Sequence, residues 1–335
     1  MVIFYESYET RRRRLFHNSS SSVSSIRSAQ TSFRPKDLIL PVSKDAATLQ
    51  YVTHINQRTP LVPVKLTLHL GGETLWVDCE KGFVSSSFKP ARCSSAQCSL
   101  ATADACSSLN VCGHSIGNPI IRTSTQGDIG QDVVSLQSTD GPYVIRPDID
   151  VSKSLTYTPL FINPSVNVNR KAIPLNKTLL SIDSNRIGGT KISTVDPYTV
   201  LETSIYNAIV SAFVNGMPTV KRVSSVAPFG ACFDSRDIFT TRIGYAVPWI
   251  DLVLQSQNVK FSVTGANSMV RVSDNVLCLG FVDGGVNPRT SIVVGGYQLE
   301  NNLLQFDLAS SRLGFSPSLI VEYRTNCGYF NFTSN

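Results

Sequence analysis

Leu75-Trp76-Val77-Asp78-Cys79-Glu80 and Gly189-Thr190-Lys191-Ile192-Ser193-Thr194-Val195 are the two stretches on which the reading of this chain turns. The first brings an apolar run, Leu75-Trp76-Val77, up to polar residues, and the second passes from Thr190-Lys191-Ile192 to a Ser-Thr pair. The first run ends on a carboxylate, Asp78, followed by Cys79 and Glu80; the second ends on Ser193, followed by Thr194 and Val195. Further on, Ile292-Val293-Val294-Gly295-Gly296-Tyr297-Gln298-Leu299 and Gln305-Phe306-Asp307-Leu308-Ala309-Ser310-Ser311-Arg312-Leu313-Gly314-Phe315 alternate apolar with polar residues, which predicts paired strands.

Together with Thr31-Ser32-Phe33-Arg34-Pro35-Lys36, Tyr51-Val52-Thr53-His54-Ile55-Asn56-Gln57-Arg58-Thr59-Pro60 and Leu277-Cys278-Leu279-Gly280-Phe281-Val282-Asp283-Gly284-Gly285, these segments resemble the plant family of catalytically dead pepsin homologues, from about Ala29 to the C-terminus. That family includes the extracellular dermal glycoprotein, the basic seed globulins, and proteinaceous inhibitors of xylanases and xyloglucan-specific endoglucanases. The resemblance implies a mainly β, bilobal pepsin-like (acid protease) fold and no cofactor. Active pepsin-like enzymes carry two hydrophobic-hydrophobic-Asp-Thr/Ser-Gly turns, because two carboxylates must share one proton for one of them to act as the acid. In the first turn of this chain Cys79 takes the place of the hydroxyl residue, and the bulky Glu80 that of the Gly, which lets the backbone pass beneath the acid. In the second, Ser193 stands where the Asp belongs. Asp78 and Ser193 are therefore expected to be degenerate positions, and the chain is expected not to be an enzyme. Ile120 to Leu136 is read as the flap hairpin, with Ile121-Arg122-Thr123-Ser124-Thr125 where active relatives place a Tyr followed by Gly-Asp-Gly.

The chain has 335 residues, 42% of them hydrophobic and 16% charged, an ordinary globular mix with room for two lobes. The formal charge of +6 is partly local, since Arg11 to Arg14 lie together near the N-terminus, so a nucleic-acid partner is not indicated. Mild basicity does suit a protein held among acidic wall polysaccharides. No segment is long and apolar enough for a membrane span. Five of the eight cysteines, Cys79, Cys93, Cys98, Cys106 and Cys112, are clustered without a Cys-x-x-Cys pair or a histidine at ligand spacing, which favours disulfides over a metal site. The resemblance implies a Cys232–Cys278 bridge; the pairing of the others, Cys327 included, stays open. Sequons at Asn18, Asn176 and Asn331 and the cysteine content point to the secretory route and an extracellular, cell-wall location. Met1 to Ser28 carries Glu6, Glu9, an Arg run and a Ser-rich stretch rather than an apolar leader, and is expected to be an atypical, disordered tail.

The expected organisation is this tail at 1–28, an incomplete N-terminal lobe with a Cys-rich loop at 29–150, and a C-terminal lobe at 151–335. Incompleteness follows from Ser138-Thr139-Asp140-Gly141 running directly into Pro142-Tyr143-Val144, where the family would continue with further strands and two cysteines. A smaller gap falls near Pro164-Ser165-Val166-Asn167. Ile205, Ala208, Ile209, Ala212 and Phe213 have the spacing of an amphipathic helix over Thr203 to Asn215. Asp183, in Ile182-Asp183-Ser184-Asn185, lacks the following Gly and is read as non-catalytic. His17, His54, His69 and His114 belong to no nucleophile motif and are assigned ordinary surface or strand roles.

Three functions remain in view. The first is a secreted, non-catalytic inhibitor of microbial cell-wall-degrading glycoside hydrolases. Such an inhibitor must fill a cleft floored by two carboxylates, so a loop arginine is the natural plug, and Arg289 and Arg222 are the candidates. The second is an aspartic endopeptidase, which the altered turns oppose. The third is a storage or peptide-binding globulin, with a truncated product that does nothing as a fourth possibility.

Overall fold

The computed structural model describes residues 2–6, 37–72, 75–77, 82–139, 155–159 and 164–326. The chain forms two compact units: one comprises residues 35–141, 192–197 and 333–335, the other residues 1–34, 142–191 and 198–332. The first unit runs to residue 141, whereas the expected lobes are 29–150 and 151–335. The assignment of 192–197 to the earlier unit has no local signal.

In the unit built on 35–141, Tyr51–Gln57 is the organising strand. It pairs antiparallel with Val62–Thr67, and also with Val42–Lys44 and Val134–Ser135. Its β-branched and aromatic residues suit a pleated surface, and Tyr51, Val52, Thr53, Ile55 and Gln57 are buried while His54 and Asn56 stay exposed. The polar region that follows is stapled by Cys93–Cys106 and Cys98–Cys112, which settles the pairing of four of the cysteines left open above. Between them lies the helix Ala96–Leu100, whose N-cap Ser95 accepts the Cys98 N–H at 3.2 Å and which buries no residue of its own. Cross-links here supply an order that apolar packing does not.

The hairpin expected at 120–136 instead joins Cys112–Asn118 to Thr123–Asp128. Ile120 and Ile121 occupy its tip, where Asn118 Oδ1 accepts both of their N–H groups and Arg122 takes φ +54°. The strand Cys112–Asn118 holds a single large aliphatic residue, Ile116, whereas the tip carries Ile120 and Ile121, so apolar content does not mark these strands.

The second unit contains four four-stranded sheets among the described residues. In one, Val2–Glu6 runs parallel to Leu303–Asp307, which pairs with Arg312–Phe315 and through it with Thr156–Pro159. This corrects the expectation that the whole of 1–28 is an unstructured tail: the open edge of Leu303–Asp307 satisfies the backbone of residues 2–6. Helix Thr203–Asn215 forms as its periodicity predicts, with Ile205, Ile209 and Phe213 buried on one face and Glu202 accepting the Ser204 and Ile205 N–H groups at its start. Cys232 and Cys278 lie opposite each other on paired strands and form the bridge implied by the resemblance. Phe229 completes that buried cluster, against Tyr198, Val223 and Val276.

Gln298, only 1% exposed, ties this unit together. Its Oε1 accepts from Thr199 N–H at 2.8 Å and Thr199 Oγ1 at 2.9 Å, and its Nε2 donates to the carbonyls of Asn267 and Gly280, both at 2.9 Å. All four capacities of the amide are used, as burial requires. No helix among the described residues is long and apolar enough to cross a membrane.

Candidate functional site

Strand Thr190–Ile192 leads into the turn at Ser193. Ser193 is buried, and its Oγ accepts the backbone N–H groups of Val195 at 3.2 Å and Asp196 at 3.1 Å, so the hydroxyl closes its own turn. Thr194, 1% exposed, reaches outward: its Oγ1 donates to the Leu68 carbonyl at 2.6 Å and accepts the Leu70 N–H at 3.3 Å. Gln50 Nε2 adds a bond of 2.9 Å to the Val195 carbonyl. These three bonds explain why 192–197 belongs with the earlier unit.

The turn brought against Ser193–Val195 is therefore Leu68-His69-Leu70-Gly71-Gly72. The imidazole of His69 lies over the two glycines, and a Cβ added at Gly71 or Gly72 would come within 3.3 Å of its nitrogens. Bare glycine backbone is what lets the ring lie so close. Asp78, Cys79 and Glu80, expected in this role, lie outside the described residues. In sequence the 68–72 turn is marked only by the alternating strand Val62 to Leu70 that runs into the Gly71-Gly72 pair, and with no carboxylate it carries no sign of a site role. Across residues 68–72 and 193–196 the only carboxylate is Asp196.

A cavity of about 850 Å³ opens beside this turn, within the 35–141 unit. His69, Gly71, Trp76, Ile116, Ile120 and Val195 are among its lining residues. It combines an apolar wall with few polar groups, the usual make-up of a binding cavity.

The two arginines singled out for inhibition differ in their surroundings. Arg222 is not a loop residue: it begins the strand Arg222–Val223, and its guanidinium donates to the carbonyls of Cys232 at 3.3 Å and Gly230 at 3.2 Å while lying over the Phe233 ring. It braces its own hairpin. Arg289 is exposed on the 284–291 loop, and among the described residues its side chain has no hydrogen bond or ion pair; only its carbonyl is used, by the Gly188 N–H. The other exposed arginines of this unit divide in the same way. Arg236, Arg271 and Arg312 are engaged by Asp234, by Tyr245 with the Asp274 carbonyl, and by Asp307 with Ser310, whereas Arg170, Arg186, Arg242 and Arg324 are not engaged by described residues.

Asp183 accepts the N–H groups of Asn185 and Ile187, both at 2.8 Å, and is a turn-former. His54 is exposed on its strand, and His114 Nδ1 stands 3.9 Å from Asp104. Asn176 is exposed and caps the helix Lys177–Leu180 through its Oδ1, which leaves Nδ2, the atom a glycan would occupy, outside the cap. Asn18, Asn331 and Cys327 lie outside the described residues. Among those described, no group of three His, Cys, Asp or Glu side chains is placed to hold a metal ion.

Two β-rich units, one of which holds the turns at 68–72 and 193–195 against each other, define a pepsin-like protein. Family models agree in detail: the N-terminal xylanase-inhibitor domain matches residues 51–157 and the C-terminal xylanase-inhibitor domain matches residues 164–317. The chain belongs to this xylanase-inhibitor family of pepsin-like proteins. It is 46% identical to a protein named probable aspartic proteinase GIP2 from Nicotiana benthamiana, over 91% of this chain and 94% of that one. It is 35% identical to gamma conglutin 1 from Prunus dulcis, over 89% and 90%. Among solved structures, that titled edgp superposes with a TM-score of 0.86 at 43% identity, covering 91% of this chain and 100% of the other. The soybean basic 7S globulin superposes at 0.74 with 28% identity, over 88% and 99%.

Proposed function

We propose that this chain is a secreted, non-catalytic pepsin homologue that binds and blocks cell-wall-degrading glycoside hydrolases. The observation that supports the reading is the pairing of turns: Thr194 bonds the Leu68 carbonyl and the Leu70 N–H, which sets the His69 turn against the Ser193 turn, and neither His69 nor Ser193 is the carboxylate that a proton-sharing dyad needs. The family's description as xylanase inhibitors supplies the partner class. Three disulfides among the described residues support an oxidising compartment, and the formal charge of +6 supports retention among acidic wall polysaccharides.

An inhibitor of this kind presents a cation to the paired carboxylates of the hydrolase, and a guanidinium already engaged within its own hairpin is poorly suited to that task. Arg222 is therefore set aside. Arg289 is retained, in company with the other unengaged turn arginines. The test is inhibition of a xyloglucan-specific endoglucanase and of a xylanase by the full chain, with single alanine substitutions at Arg170, Arg186, Arg242, Arg289 and Arg324. The expected result is saturable inhibition of one enzyme, with Arg289→Ala weakening it about tenfold or more, a loss of about 1.4 kcal/mol, at unchanged stability. Failure to inhibit either hydrolase would overturn the proposal.

The name of the tobacco relative favours an aspartic endopeptidase as a second reading. Hydrolysis of a peptide at acid pH, abolished by an active-site-directed aspartic peptidase inhibitor, would replace the first reading with this one. The conglutin and 7S globulin relatives favour a storage role, which seed abundance without hydrolase binding would support.

A further inference from the structure

The cavity of the 35–141 unit has one wall that is a strand edge. Val62–Thr67 pairs with Tyr51–Gln57 on one side; its other edge has no backbone partner among the described residues. Val64 and Leu66 are half-buried and line the cavity, while the exposed Lys65 bonds Asp45 at 2.9 Å. Around this edge stand Leu40, Leu75, Trp76, Ile120 and Val134, five large apolar side chains that are 39–59% exposed, and all five line the same cavity. Single exposed apolar residues are ordinary, but convergence on one concave place marks surface built to be covered.

The comparison with relatives indicates what is missing from it. The match to the Nicotiana benthamiana protein runs over 415 alignment positions, more than the 335 residues of this chain, so that relative contains internal segments with no counterpart here. The solved structure titled edgp superposes on this chain with a TM-score of 0.86, so the family fold is kept here, and a lobe deprived of a segment keeps both the strand edge and the apolar socket that the segment filled. Val134 and Leu136, the last lining residues before 137–139, show that the chain passes along this cavity. Among the described residues its lining has no Asp or Glu, and its ionisable groups are Lys65, His69 and His114. A basic side chain pointing inward would meet like charge, whereas apolar residues flanked by neutral or acidic ones would not.

We infer that this cavity accepts, in trans, an extended peptide strand with apolar side chains at alternate positions, equivalent to a segment that the relatives carry and this chain lacks. The strand adds to the Val62–Thr67 edge: main-chain hydrogen bonds hold it, and the apolar socket takes every second side chain. This inference is independent of hydrolase inhibition and can fail or hold separately from it.

The experiment uses the full chain with Trp249→Phe, which leaves Trp76 as the only tryptophan. Short overlapping peptides are tiled across the segments of the Nicotiana benthamiana protein that have no counterpart here, and Trp76 emission is followed. The expected result is a saturable blue shift with one tile, or two overlapping ones, and none with a scrambled peptide of the same composition. Leu75→Asp and Ile120→Asp each weaken that binding about tenfold or more. Ile120 lies at an exposed hairpin tip, so its variant keeps the test valid if Leu75→Asp perturbs folding. The inference is overturned if no tile binds, or if a tile and its scramble bind alike. It is also overturned if the chain is a dimer that Leu75→Asp separates into monomers, since a second copy would then cover the face.

Discussion

Replacing Thr194 by valine isolates the contact on which the paired turns depend. The change keeps the shape of a side chain that is 1% exposed and removes one oxygen. It deletes the 2.6 Å bond to the Leu68 carbonyl and the longer, weaker one from the Leu70 N–H at 3.3 Å. A net hydrogen bond contributes about 1 kcal/mol, and a partly buried carbonyl left without its donor costs about 1–3 kcal/mol, so a destabilisation of about 2 kcal/mol is expected. With a slope of about 2 kcal/mol per M urea, the unfolding midpoint falls by about 1 M. The two units need not unfold together, so the probe must be local. Trp76 belongs to the unit that contains Thr194 and Trp249 to the other, and single-tryptophan backgrounds report each transition separately. The Trp76 transition shifts and the Trp249 transition does not. Thr194→Ser, which keeps the hydroxyl, shifts much less. If valine leaves the Trp76 midpoint unchanged, or serine moves it as far as valine does, the hydroxyl bridge is not what joins these turns and the assignment of His69 opposite Ser193 loses its basis.

Two further outcomes follow from buried polar groups in the other unit. Gln298→Leu fills the same space but strands the Thr199 N–H and hydroxyl and the carbonyls of Asn267 and Gly280; it is expected to lower the stability reported by Trp249 by about 3 kcal/mol or more, measured by urea unfolding. Asp234 is held down to about 2 by the Arg236 side chain and then by the Arg236 backbone N–H. Because this lies below the ordinary value of 3.8, its stabilisation is present above about pH 4 and is lost as pH falls towards 2. An acid titration of unfolding should therefore have a component in that window which disappears in Asp234→Asn, and an unchanged slope in the variant would exclude the pair as its source.

Legibility differed from element to element for physical reasons. Helix Thr203–Asn215 could be read because its burial repeats with the helical period, and Tyr51–Gln57 because its two faces alternate between core and solvent. Both patterns are local. The hairpin at 112–128 was shifted in the reading because its tip is apolar and its strands are not, the reverse of the usual arrangement. The pairings Cys93–Cys106 and Cys98–Cys112 were closed to sequence reading, since several connectivities fit such spacing and only the path of the loop selects one. Arg222 read as a loop cation because nothing in its neighbours shows that the Gly230 and Cys232 carbonyls will turn back to meet it.

The sequence by itself determined the pepsin-like class, the β-rich composition of both units, and a serine rather than an acid at position 193, all of which depend on residue identity and short-range pattern. Only the tertiary structure decided which turn faces Ser193. That choice rests on Thr194 bonding Leu68 and Leu70 across separations of 126 and 124 residues, and on Gln50 meeting Val195 across 145. No local propensity encodes such contacts: a hydroxyl commits to a distant carbonyl only after the surrounding strands have closed around both, and the cost of leaving either group unpaired then selects the partner.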